Sequence, residues 1–127
     1  MSGLVVVDTS VFVDYLRGDA DDTLSVLTLK NRVLLSPIVR LELLAGVRKK
    51  ELKTVEKLCN ALRLIEEFSS PSECGKLLNR ARGSGLFGGI PDLLIIADTI
   101  RHRAHLFSYD KRMNALAKKL GAKLIKA

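Results

Sequence analysis

Short runs of aliphatic residues alternate along the chain with longer stretches in which apolar residues recur every three to four positions. Leu4-Val5-Val6-Val7 reads as a buried strand, and Asp8-Thr9-Ser10 ends it with a cluster suited to capping a helix. That helix runs through Leu16 and stops near Gly18, and Asp21 and Asp22 open a second helix over 23–30. Val33-Leu34-Leu35 forms the next strand. Ser36-Pro37 then matches an N-cap followed by proline at the first helical position, with Gly46 near the end of the helix. A further helix covers about 51–61, a short strand 62–65, and another helix runs from Ser70-Pro71 toward Arg82. Gly83-Ser84-Gly85 and Gly88-Gly89 mark a mobile loop before Pro91 opens the helix that carries Asp92. Positions 105–108 read as a strand, 111–120 as a helix and 122–125 as a final strand.

Nearly all-apolar strands alternating with helices predict an α/β fold with a mainly parallel central sheet flanked by helices. No repeat, low-complexity tract or proline-rich linker divides the sequence, so residues 1–127 are expected to form one domain. In open sheets of this kind, ligand sites gather outside the carboxyl ends of the strands.

Four acids fall at that edge. Asp8 lies just after the first strand and Asp110 just after the strand at 105–108; Asp92 sits in the first turn of its helix, and Glu42 about a turn and a half into the helix that leaves 33–35. Three of them also have an ordinary structural reading: Asp8 and Asp110 as N-caps, Asp92 as a complement to a helix dipole. Glu42 differs, because its helical neighbours Ile38, Val39, Ala45 and Gly46 place it on the apolar face, where an unpaired charge is costly. Arg40, on another face of the same helix, is badly placed to pair with it. Acids sharing one pocket repel unless a divalent metal neutralises them. Carboxylate ligands without a cysteine or a suitably placed histidine suit magnesium or manganese rather than zinc. The chemistry such a centre supports is attack of metal-activated water on a phosphodiester.

Composition narrows the partners. The chain is 47% hydrophobic and 28% charged, with a formal net charge of +7. That charge favours a polyanion, although many small domains are basic without one. Arg40, Arg82, Lys111 and Arg112 neighbour the acids in sequence and are candidate contacts for a polyanionic backbone, each with a solvated-face alternative; Arg80 also precedes the glycine loop. Aromatic residues make up only 5% of the chain, which gives little sign of a base-stacking platform. No apolar run approaches the roughly 20 residues that span a bilayer. The first residues lack a basic stretch and meet an acid at Asp8, so a cytoplasmic location without membrane contact is expected. Cys59 and Cys74 form no C-x-x-C pair and read as free thiols inside helices. His102 and His105 flank a basic helix end, and the glycines are not followed by the Lys-Ser/Thr of a phosphate loop.

Four segments together resemble the PIN-domain nucleases, and among them the VapC-type toxins. They are Val6-Val7-Asp8-Thr9-Ser10-Val11-Phe12-Val13-Asp14-Tyr15-Leu16-Arg17-Gly18, Ser36-Pro37-Ile38-Val39-Arg40-Leu41-Glu42-Leu43-Leu44-Ala45-Gly46, Ile90-Pro91-Asp92-Leu93-Leu94-Ile95-Ile96-Ala97 and Leu106-Phe107-Ser108-Tyr109-Asp110. The resemblance runs nearly end to end. It implies a PIN-like domain whose Asp8, Glu42, Asp92 and Asp110 hold one or two magnesium or manganese ions. It also implies that Ser10 and Ser108 orient carboxylates or waters. The implied reaction is endonucleolytic RNA cleavage leaving a 5′-phosphate and a 3′-hydroxyl, in a homodimer whose groove an antitoxin peptide covers. Ser108 departs from the more usual threonine, and Asp98 from a small or apolar residue. Asp98, six residues beyond Asp92, is read as a solvated helix acid; Asp14, six beyond Asp8, either supports the ligands from behind or is a surface or helix-stabilising acid. Two other readings remain: a PIN nuclease of RNA processing or structured DNA, and an idle module that binds RNA or a partner.

Overall fold

The computed structural model describes residues 3–125. Strands β1 (Val5–Val7), β2 (Val33–Leu35), β3 (Arg63–Leu64), β4 (His105–Phe107) and β5 (Lys123–Leu124) form one sheet in the order β3-β2-β1-β4-β5. Every pairing in it is parallel. Helices α1 (Thr9–Arg17) and α2 (Thr23–Leu29) connect β1 to β2, and α3 (Pro37–Gly46) and α4 (Leu52–Asn60) connect β2 to β3. Helices α5 (Pro71–Arg82) and α6 (Ile90–Arg101) lead to β4, and α7 (Lys111–Lys119) leads to β5. A single 3-10 turn at Lys49–Glu51 precedes α4. The expected alternation is therefore present element by element, with the expected strand at 62–65 shortened to two residues at the sheet edge.

The local reasons are the ones the sequence carries. Ser36 accepts the amide of Ile38 ahead of Pro37. Ser70 accepts that of Glu73 ahead of Pro71, in the Ser-x-x-Glu arrangement of a capping box. Gly18 ends α1 at φ 79°, where a side chain would be strained. Val5, Val6 and Val7 are wholly buried, as central parallel strands covered on both faces must be. They join Phe12, Leu35, Ile96, Leu106 and Phe107 in one continuous core.

The order of strands decides where a site can form. From β1 the chain runs outward to β2 and β3, then crosses back to β4 on the other side of β1. The loops after β1 and β4 thus diverge in opposite directions and leave a crevice between them at the carboxyl edge. Register fixes what faces it: Val7 pairs with Phe107, and the Asp8 amide donates to the Phe107 carbonyl at 2.9 Å, so Asp8 and Ser108 emerge side by side.

The buried face of α6 holds a polar exception. Asp98, 1% exposed, accepts the hydroxyls of Ser36 and Ser69, each at 2.8 Å, with a terminal nitrogen of Arg101 3.9 Å away. The expectation of a solvated acid is corrected here. Helix α6 buries Leu93 and every residue from Ile95 to Thr99, because it packs on β1 as well as against α3 and α5. Six residues beyond Asp92 does point away from that acid, but toward the interior.

Candidate active site

Asp8 occupies the N-cap position of α1, yet its side chain makes no capping bond. Its Oδ2 instead accepts the hydroxyls of Ser10 at 2.9 Å and Ser108 at 2.7 Å, in a setting only 7% exposed. The capping alternative thus fails for this acid. The two hydroxyls are 3.5 Å apart, and each also receives a backbone amide: Tyr109 on Ser10 and Asp110 on Ser108. Asn114 Nδ2, from α7, holds the Ser108 carbonyl at 2.9 Å.

Asp110 does cap its helix. Its Oδ1 accepts the amides of Arg112 and Met113 at 3.0 and 3.1 Å, which leaves Oδ2 directed to the Arg112 guanidinium at 3.7 Å. The same guanidinium binds Asp92 Oδ2 at 2.6 Å from the first turn of α6. Glu42, on α3, accepts the hydroxyl of Thr9 at 2.7 Å, next to Asp8 in α1. The four acids, scattered over more than 100 positions, are thus brought near one another: Ser108 bonds both Asp8 Oδ2 and the Asp110 amide, Arg112 joins Asp110 to Asp92, and Glu42 binds Thr9, the chain neighbour of Asp8.

The placement of Glu42 corrects its expected surroundings. Ala45 and Gly46 are exposed at the end of α3, and the buried stripe is Ile38, Val39 and Leu43. Glu42 therefore stands at the exposed margin of the helix facing α1, not on an apolar face. Its Thr9 partner was not singled out in the sequence; the signal was its place between Asp8 and Ser10.

The basic residues divide. Arg112 lies among the acids, and its pKa is raised, first by the hydrogen bond to Asp92 and then by the charges of Asp92, Asp110 and Asp8, against burial. Lys111 and Arg82 are exposed. Arg40 is exposed on the opposite side of α3 from the site, in a groove of about 530 Å³ with Leu41, Leu64 and Phe68 that holds none of the four acids. Arg80 donates to the carbonyls of Lys119 and Leu120, capping the end of α7 rather than lining the site. The glycine segment, expected to be a mobile loop, carries several hydrogen bonds around Ser84 and Leu86. Ser84 donates to the Ala81 carbonyl and accepts the Leu86 amide, and Arg112 binds the Leu86 carbonyl at 3.0 Å.

A divalent cation suits this donor set. The site offers carboxylates and hydroxyls, whereas His105 opens β4 and His102 ends α6, both on the amino side of that strand. Cys59 and Cys74 are free thiols on other helices, raised in pKa by burial. Among the described residues no three such side chains converge closely enough to close a metal cage as they lie. What does lie among Asp92, Asp110 and Asp8 is the cationic head of Arg112, a stand-in for the positive charge that the acids require.

The model of the PIN domain family matches residues 5–119. The chain belongs to the PIN domain family. It is 34% identical to Ribonuclease VapC19 of Mycobacterium tuberculosis over 112 residues, 84% of this chain and 89% of that one, which places this PIN domain with the VapC-type members. Its fold is shared with the DNA-bound VapBC of Salmonella typhimurium, at a TM-score of 0.79 and 16% identity, covering 97% of this chain and 96% of that one. It is shared too with VapBC2 of Rickettsia felis bound to a promoter DNA fragment, at a TM-score of 0.77 and 23% identity over 96% and 97% of the two chains. In this PIN domain the matched segment takes in all four acids and both serines. No described helix is long and apolar enough to cross a membrane.

Proposed function

We propose that this PIN domain is a divalent-metal-dependent endoribonuclease and the toxin of a toxin–antitoxin pair, acting as one nuclease domain over residues 1–127. The observation that carries the reading is the linked set of Asp8, Glu42, Asp92 and Asp110 at the switch point of the sheet. The VapC-type relative named a ribonuclease supports the activity, and the VapBC likenesses support an antitoxin partner. A homodimer in the cytoplasm completes the proposal.

Asp8, Glu42, Asp92 and Asp110 would hold magnesium or manganese. When bound, such an ion would supply a polarised water and would neutralise charge on the scissile phosphodiester. Ser10 and Ser108 both donate to Asp8 Oδ2, which fixes the plane of the carboxylate and leaves Oδ1 to a ligand. The two amides on Asp110 Oδ1 likewise orient Oδ2. Arg82 and Lys111, exposed, and the basic excess of the chain draw in the RNA backbone. Arg40, on the far side of α3, is assigned a phosphate contact only if the strand wraps that helix.

Labelled RNA incubated with the purified protein is expected to be cleaved in magnesium or manganese, to survive in EDTA, and to survive with Asp92→Asn in any metal. Cleavage that persists in EDTA and in the variant overturns the reading. Glu42→Gln keeps an acceptor for Thr9 at an exposed position, so its stability should stay within about 0.5 kcal/mol of the parent. Its affinity for Mn2+ in a calorimetric titration should fall. Unfolding of Glu42→Gln in a melting experiment would instead make the glutamate structural.

A further inference from the structure

Arg112 belongs to the first turn of α7, but its side chain reaches over to the loop before α6 and to the first turn of α6. One terminal nitrogen, Nη1, binds the Leu86 carbonyl at 3.0 Å; the other, Nη2, binds Asp92 Oδ2 at 2.6 Å and lies 3.7 Å from Asp110 Oδ2. Between these anchors the guanidinium lies against Gly88, and a Cβ placed on Gly88 would overlap its Cζ and both terminal nitrogens. The backbone at Gly88 is not in the left-handed region, so the turn itself does not demand glycine there. The missing side chain is what lets the arginine through.

We propose that Arg112 is a positioning residue that serves as the resident counter-ion of the carboxylate site, holding Asp92 until a divalent cation displaces it and thereby setting how tightly that cation binds. The inference rests on the metal-dependent reading above. Asp92 Oδ2 cannot give the same lone pair to a guanidinium and to a metal, so a cation that takes it must break a charged hydrogen bond. The pair is partly shielded, with the Arg112 and Asp92 side chains 39% and 24% exposed, so solvent weakens that bond without erasing it. The bond to Leu86 does not involve the acids, so the displaced guanidinium stays beside the site and retakes Asp92 when the cation leaves.

The test is calorimetric titration of the metal-free full chain with MnCl2, for the parent, Arg112→Gln, Gly88→Ala, Asp92→Asn and the Asp92→Asn/Arg112→Gln pair. Arg112→Gln removes the competitor, and Gly88→Ala pushes it aside while keeping its charge. Each should bind Mn2+ roughly 5- to 30-fold more tightly than the parent. The gain should vanish when Asp92 is also replaced. Without metal, Arg112→Gln should melt below the parent, and Mn2+ should raise its Tm by more. Mn2+ binding that is unchanged or weakened in both Arg112→Gln and Gly88→Ala, yet lost in Asp92→Asn, overturns this proposal and leaves the metal reading standing. A parent protein that binds no Mn2+ overturns both.

Discussion

Asp8→Asn is expected to lower RNA cleavage by at least about 10²–10³-fold, the scale on which loss of one preorganised electrostatic partner raises a barrier. The fold should hardly notice. An asparagine can turn its carbonyl oxygen to the place of Oδ2 and accept the same hydroxyls of Ser10 and Ser108. It also removes a negative charge from a position 7% exposed, which offsets the loss of two charge-assisted bonds. Activity and stability are thus separated at this residue: single-turnover cleavage falls, while the melting temperature stays level or rises. A variant that cleaves at the parental rate would refute the role of Asp8, and one that unfolds would show the carboxylate to be structural.

Asp98→Ala is expected to do the reverse, with its main effect on stability. It strands the hydroxyls of Ser36 and Ser69, both on buried residues, and removes the charge facing Arg101, whose Nε is already buried without a partner. Each orphaned buried donor costs about 1–3 kcal/mol, and relief of a buried charge returns part of that, for a net loss of about 2–3 kcal/mol. Urea denaturation measures it directly. If Ser69→Ala is added, part of the loss should be recovered, because one of the two orphaned hydroxyls is then gone while Ser36 keeps its capping bond to the Ile38 amide. Stability equal to the parent's in the single variant contradicts this account of the network. Cleavage should fall as well, since Ser36 starts α3 and the Asp98 link fixes the helix bearing Glu42 against the helix bearing Asp92.

The elements were legible because their signals are local. A β-branched run such as Val5-Val6-Val7 favours a strand buried on both faces, and Ser36-Pro37 and Ser70-Pro71 start helices by bonds confined to a few residues. The acids at the carboxyl edge were legible for the same reason, since a residue that follows a strand in a parallel sheet lies at that edge whatever the strand order.

The surroundings of those acids were not. Glu42 looked buried because Ala45 and Gly46 count as apolar in a pattern, whereas the end of α3 leaves both in solvent. Asp98 looked solvated because its spacing from Asp92 excludes the site but does not say what covers the other side of α6. Nothing along the chain connects Arg112 to Gly88, 24 positions away, since that contact exists only after α7 and the loop before α6 meet.

By itself, then, the sequence determined the alternation of elements, the parallel sheet and the identity of four acids at one edge of it. Backbone hydrogen-bonding rules and hydrophobic periodicity act over a few residues and are written in consecutive positions. The tertiary structure decided which side chain neutralises which: that Asp8 turns to two serines instead of capping α1, that Asp98 is enclosed, and that Arg112 stands among the carboxylates. Charge pairing and burial depend on distances between elements remote in sequence, and strand order sets those distances.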